Sequence, residues 1–350
     1  MKKGFYLLIV VIAFIQCKKE TTAIEKEEVI KDSVHEFENN QKVLDTIPVL
    51  VQDTIVEKKK EEKVVETKKK TPKFAIVKGE KYSIWPHKVS DSLLKKFNNE
   101  FSASQKYTIA ALNRIDTNYL KSRDSLIIPN EFYSDFLDYS PFPKQAEILR
   151  DVDKFIIFSY PIQAFAVYEK GVLKKWGPTN MGKKASQTPR GLFFTNWKGR
   201  KVRSTVDDEW ILNWNFNIHN TGGIGFHQYA MPGYPASHSC LRLLDADAQY
   251  LYNWADQWVL ADKNTVKVKG NPVIVYGDYN FGVKGIWYQL YKDPNITTVS
   301  EEKLNEIIAP HKDEILKQQK ILQEYIRKKE GVNNVEKDSI EVSDPKQDSL

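Results

Sequence analysis

The chain has 350 residues and a formal net charge of +6, with its 52 Lys and Arg interspersed among 46 Asp and Glu. That distribution builds no basic face, so composition excludes a nucleic-acid signal and leaves only mild attraction to acidic polymers. The length admits two domains, but aromatic and β-branched residues concentrate between Phe74 and Tyr288 while the flanks are rich in Lys, Glu, Asp, Gln and Asn, which places the globular part in the middle.

Ahead of that middle, Lys2 and Lys3 precede an apolar run from Phe5 to Ile15 and then Cys17. A run of about eleven residues suits the core of a signal peptide and is too short to span a bilayer as a mature helix. The arrangement over residues 1–17 resembles a bacterial lipoprotein signal, in which the cysteine becomes the acylated first residue of the mature protein, although Gln16 stands where a small residue is usual. The resemblance implies a lipid anchor at Cys17 and a place in the cell envelope, facing the periplasm. An ordinary signal peptide followed by an incidental cysteine is the alternative, and both put the protein outside the cytoplasm. Residues 18–73 read as a charged, disordered tether carrying Lys58-Lys59-Lys60-Glu61-Glu62 and Lys68-Lys69-Lys70. Such a tether spans roughly 40 Å root-mean-square and on the order of 180 Å fully extended, enough to hold an enzyme away from a membrane; a spacer of no tuned length has the same composition.

Residues 74–132 form a small α/β segment. Ser104 to Asn113 predicts a helix ending in Leu112-Asn113, followed by a polar turn and the strand-like Asp124-Ser125-Leu126-Ile127-Ile128-Pro129. This order resembles the second half of a LysM module, a family that binds N-acetylglucosamine polymers such as peptidoglycan. The resemblance implies glycan binding, with a structural or regulatory role as the alternative for the same residues.

From Asp153 to Tyr279 short strands alternate with turn signals, the pattern of a mostly β domain, and residues 145–288 are taken as that domain. Lys154–Ser159 and Ala164–Tyr168 predict the first two strands, and Glu169-Lys170-Gly171 the turn after them. Val266–Lys269 and Pro272–Tyr276 read as closing strands around Gly270-Asn271, and a helix is expected from Asp245 to about Trp258, with Ala248, Leu251, Tyr252 and Ala255 at helical spacing. Residues 289–330 read as a helical extension: Ser300 caps a helix opening on Glu301 and Glu302, and Pro310 restarts one through Ile315, Leu322 and Ile326. Those apolar residues are expected to pack back on the β domain, a coiled-coil partner being the alternative. Residues 331–350 read as a disordered tail.

The chemistry is expected between Gly225 and Leu243. Gly225-Phe226-His227-Gln228-Tyr229 leads through a loop with Pro232, Gly233 and Pro235 into Ser237-His238-Ser239-Cys240-Leu241-Arg242-Leu243. A thiol attacks as thiolate, and at a free pKa near about 8.5 it needs a base or a positive neighbour. His227 and His238 lie on either side of the loop and before the cysteine, where one of them can take the proton. A single cysteine is also commonly a small core residue. Two features favour a nucleophile: Cys240 sits among polar residues before a helix whose N-terminus would lower the thiol pKa, and it is an unpaired thiol in an exported chain, the only other cysteine being Cys17.

This run resembles the signature of the L,D-transpeptidase catalytic domain, the YkuD-like family: a histidine, a variable loop, then Ser/Thr-His-Gly-Cys followed by an aliphatic residue and Arg or Asn. A second family feature, Thr-Pro-x-Gly before an aromatic strand, matches Thr188-Pro189-Arg190-Gly191-Leu192-Phe193, preceded by Met181-Gly182-Lys183. The resemblance covers about Asp153 to Tyr279. It implies a mostly β fold, an L,D-transpeptidase-like β-sandwich with a short helix after the catalytic cysteine, here flanked by the small α/β LysM-like segment and the C-terminal helices. It further implies Cys240 as nucleophile, His227 as the group that takes and returns the proton, the carbonyl of Gln228 as orienter of that imidazole, and His238 as shaper of the loop. Arg242 falls at a position near the substrate, where it either pairs with a stem-peptide carboxylate or holds the loop through a salt bridge. Ser239 replaces the glycine usual before the cysteine; if positive φ is needed there, serine costs on the order of 1 kcal/mol and can shift an oxyanion donor.

The implied reaction is attack of Cys240 on the carbonyl of the L-centred diamino acid of a peptidoglycan tetrapeptide stem, release of D-alanine, and transfer of the thioester to an amine, remodelling the cell wall. The partners implied are stem peptides and, through Cys17, a membrane, with no nucleic acid. No metal or other cofactor is expected, because His219, His227 and His238 lack an acidic cluster at ligand spacing. Hydrolysis by the same pair, as a carboxypeptidase or amidase, and a non-catalytic wall-binding role are the alternatives.

Overall fold

A computed structural model describes residues 76–86, 91–204, 207 and 209–341. The signal sequence with Cys17, the whole of the expected tether, and residues 342–350 lie outside them.

The N-terminal segment is built from β1 (Val77–Lys78), β2 (Tyr82–Pro86), α1 (Asp91–Glu100), α2 (Ala103–Asn113) and β3 (Ser125–Pro129), the three strands forming one antiparallel sheet. α2 opens on a capping box, Ser102 Oγ accepting from Gln105 N–H and Gln105 Oε1 accepting from Ser102 N–H. It closes on Asn113, a buried side chain that donates to the carbonyls of Ile109 and Ile127 and accepts from Ile127 N–H, each at 2.8 Å. The Leu-Asn ending therefore fastens the helix to β3. Along that strand Leu126 and Ile128 face the segment's own core with Phe97, Ile109 and Ile115, and Ile127 between them faces the main core.

The chain then forms β4 (Phe155–Ser159), β5 (Ala164–Glu169), β6 (Val172–Pro178), β7 (Gly191–Phe194), β8 (Lys198–Arg203), β9 (Ile211–His219), β10 (Ile224–Gln228), β11 (Leu241–Leu243), α3 (Asp245–Trp254), β12 (Val259–Leu260), β13 (Val266–Val268), β14 (Pro272–Tyr276), α4 (Glu301–Ile308) and α5 (Lys312–Glu341). Two sheets carry the domain, one ordered β6-β5-β4-β14-β7 and the other β11-β10-β9-β8. They pack face to face as a mostly β sandwich, with Ile156, Phe158, Phe165, Val167, Val273 and Val275 of the first against Phe216, Phe226, Leu241 and Leu243 of the second. The far face of the five-stranded sheet is covered as well. Phe155, Ile157, Ala166, Trp176 and Ile274 meet Tyr82 and Leu112 from the N-terminal segment and Trp287, Leu304, Ile308 and Ile315 from the C-terminal region. Each such side chain contributes about 1.5–3 kcal/mol on burial, which is why these strands read as unbroken apolar runs.

Three differences from the sequence expectations have local causes. α3 ends at Trp254, because Ala255 is extended and Asp256 is drawn into a turn by Asn271 Oδ1, which accepts its N–H, and by Thr195 Oγ1, which donates to its carbonyl. β13 and β14 do not pair across Gly270-Asn271: β13 pairs with β12, while β14 lies parallel to β4 and antiparallel to β7. α5 runs to Glu341, past Gly331, where the sequence reading began a disordered tail. α4 does open on the Ser300 cap, whose Oγ accepts from Lys303 N–H.

The N-terminal segment also reaches the second sheet's helix. Asp247 of α3, fully buried, accepts from the Tyr107 hydroxyl at 2.5 Å and pairs with Lys175 at 2.7 Å.

Candidate active site

The site is set by the parallel pairing of β10 with β11, in which Phe226, His227 and Gln228 stand opposite Leu241, Arg242 and Leu243. Phe226, Leu241 and Leu243 are fully buried between the sheets. Alternation therefore turns His227, Arg242 and Cys240, the residue before β11, toward the other face of the sheet. A β-bulge sharpens the placement: Phe226 pairs with Phe216 and Gln228 with Asn213, so Trp214 and Asn215 together oppose His227. Trp214 takes φ 54° there, held by a 3.1 Å hydrogen bond from its indole to Asp245 Oδ1.

His227, Cys240, Arg242, Tyr229, Trp210 and His238 line one cleft of about 30 Å³. His227 is 3% exposed, and its Nδ1 lies 3.0 Å from the Gln228 carbonyl oxygen. A carbonyl only accepts, so Nδ1 carries the hydrogen and Nε2 keeps its lone pair. The Cys240 thiol is 3.9 Å from the Gly223 carbonyl oxygen.

Burial, with a smaller push from Arg242, depresses the His227 pKa to about 4 against the raising effect of the Gln228 carbonyl. Burial also pushes the Cys240 thiol above its ordinary value, while the Gly225 backbone and the Arg242 charge pull it back. At neutral pH the two groups are therefore a neutral imidazole and a protonated thiol. This corrects the expectation of a thiol lowered by a helix start: Cys240 precedes the strand β11, and α3 begins only at Asp245.

Arg242 stacks over the Tyr229 ring at 4.7 Å and donates from Nη1 to the Ala230 carbonyl at 3.1 Å. Among the described residues it makes no salt bridge, and none of those lining the cleft is acidic. The loop-holding reading of Arg242 thus operates through a carbonyl and a ring. His238 Nε2 accepts from Lys183 Nζ at 2.9 Å, and its ring packs on Trp210 at 5.1 Å. Gln228 contributes its carbonyl to His227 and its side chain to Asn213, outside the cleft lining.

Ser239 adopts φ 81°, the left-handed region that the sequence comparison with glycine raised. Its turn is held from outside. Thr188 Oγ1 donates to the Ser239 carbonyl at 2.8 Å and accepts from Gly182 N–H at 3.0 Å, and Ser239 Oγ donates to the Ser186 carbonyl at 3.2 Å. Gly182 permits this because a Cβ there would lie 2.1 Å from the Ser186 carbonyl oxygen. The Thr-Pro-x-Gly stretch thereby buttresses the turn that carries Cys240. Ser237, whose hydroxyl donates to the Cys240 carbonyl, and Trp210 and Tyr229 in the cleft were not singled out from sequence. Ser237 lies three residues before the thiol, the spacing of a side chain that closes a turn on the backbone.

Residues 153–275 match the family described as YkuD, the L,D-transpeptidase catalytic domain. Solved structures similar to this chain include an L,D-transpeptidase from Stackebrandtia nassauensis, 23% identical over 36% of this chain and 57% of that one with a TM-score of 0.31. L,D-transpeptidase 1 of Mycobacterium tuberculosis is 20% identical over 36% of this chain and 62% of that one, TM-score 0.27. An L,D-transpeptidase of Enterococcus faecium is 21% identical over 35% and 50%, TM-score 0.28. The chain thus spans between half and two thirds of the length of these structures. No curated protein matches it.

Proposed function

We propose that the chain is a cysteine-dependent L,D-transpeptidase acting on peptidoglycan stem peptides in the cell envelope. The observation that carries the reading is the convergence on one cleft of a thiol, an imidazole with Nε2 left as base, and an arginine with no carboxylate partner among the described residues.

His227 Nε2 takes the proton of Cys240 as sulfur bonds to the carbonyl carbon of the third stem residue. The negative oxygen that develops is met by backbone N–H groups of the turn at Ser239 and Cys240. His227 then gives the proton to the departing D-alanine amine, leaving a thioester. An amine from a second stem attacks the thioester, loses its proton to His227, and releases the thiol with a new peptide bond. Arg242 holds a stem carboxylate, the charge missing from the cleft. A lipid anchor at Cys17 would keep the reaction at the wall.

The test is intact-mass analysis of the chain and of Cys240→Ala with purified disaccharide-tetrapeptide. A cross-linked dimer with loss of D-alanine, absent in the variant, is the expected result. Trimming without dimer assigns hydrolysis instead, and absence of both turnover and acyl-enzyme assigns a binding role.

A further inference from the structure

We infer that Asn180 is a positioning residue, through which the N-terminal segment holds the loop between His227 and Cys240 in its working place. Asn180 is fully buried, and every polar group it carries is used across an element boundary. Its Nδ2 donates to the Arg114 carbonyl, at the end of α2, at 3.0 Å and to the Thr179 carbonyl at 2.7 Å. Its Oδ1 accepts from Gly233 N–H at 3.0 Å, and its backbone exchanges two 3.1 Å hydrogen bonds with Arg242, two residues after the nucleophile.

The segment touches the same loop directly. Asp116 N–H donates to the Met231 carbonyl at 2.9 Å, Ile115 bridges to Pro232, and Gly233, at φ 86°, has room for no Cβ because Ile115 Cγ2 would be 2.7 Å away. A loop clamped from both sides keeps Cys240 half-buried and its turn aimed. Released, it would expose the thiol and misplace the oxyanion donors, so alkylation and turnover should move in opposite directions.

The turnover arm rests on the transpeptidase reading; the alkylation arm does not. In the full chain, Asn180→Ala should lower kcat at least about tenfold with KM within about threefold, the scale of an ångström-level misplacement. Iodoacetamide labelling of Cys240, followed by intact mass, should speed up at least about threefold as the thiol loses the burial that raises its pKa. Gly233→Ala, a loop substitution, should show the same signature, and the double variant should fall short of the product of the two effects because both release one contact. Labelling at the wild-type rate in both variants, or a double variant whose effects multiply, overturns the inference. Absence of turnover in the wild-type chain overturns only the transpeptidase reading and leaves the labelling arm to decide this one.

Discussion

The two sheets of the sandwich obey the same alternation and spend it differently. Every residue of β4 is buried, because both faces of the five-stranded sheet are covered. In the four-stranded sheet only one face enters the core, and His227 and Arg242 of β10 and β11 lie on the other, where they line the cleft. The first sheet is a platform in which any change is a packing change; the second is a tool edge in which alternate residues answer to different demands. That division predicts which substitutions cost function and which cost folding.

The largest effect should come from the outward face. On the proposed reaction, Cys240→Ala is expected to lower turnover by at least about 10³-fold while leaving the melting temperature near wild type, since a half-buried thiol loses only one small atom; kinetics and thermal melts on one preparation check both halves. The converse is Ile157→Ala in the platform, expected to cost about 2–5 kcal/mol in denaturant unfolding with little change in turnover below the transition. Between these stands His227, which is outward yet buried. Its folded pKa of about 4 lies below the free value near 6.5, so the unfolded chain binds the extra proton between those pH values. Stability is therefore full above about pH 6.5 and falls by up to roughly 3 kcal/mol as pH drops toward 4, and His227→Gln should flatten that slope in urea titrations. The smallest effect is at the strained turn. Ser239→Gly relieves a positive φ and should stabilise the chain by about 0.5 kcal/mol, less than the strain itself because glycine is freer when unfolded.

The parts of the molecule legible in sequence are those whose signal is local. The apolar runs Phe155–Ser159 and Pro272–Tyr276 declare a sheet covered on both faces, and His227, Cys240 and Arg242 stand within one stretch of sixteen residues. What escaped are features made by distant pairing. The bulge at Trp214 exists only because β9 and β10 meet out of step, and nothing in Trp-Asn-Phe announces it. In sequence Cys240 stands before the α3 helix, whereas β11 between them is a strand only by virtue of β10 beside it. Asn180 is an unremarked polar residue between Thr179 and Met181 until burial gives each of its hydrogen-bonding groups an owner. Asn113 is the instructive intermediate, a Leu-Asn ending visible in sequence whose purpose appears only when β3 lies against it.

Tyr107, Asp247 and Lys175 bear on how this chain can have been assembled. Asp247 sits without exposure on α3, the helix after Cys240, one of its oxygens shared by a hydroxyl from the N-terminal segment and an ammonium from β6, the other oxygen without a partner. Burial raises its pKa against both neighbours. A carboxylate so placed tolerates poorly the loss of either donor, since a buried charge left short of partners costs several kcal/mol. The segment is therefore no interchangeable head piece. Recombination that replaced it with an unrelated module would leave that buried carboxylate with the Lys175 ammonium alone, so an exchange of the segment is expected to cost stability.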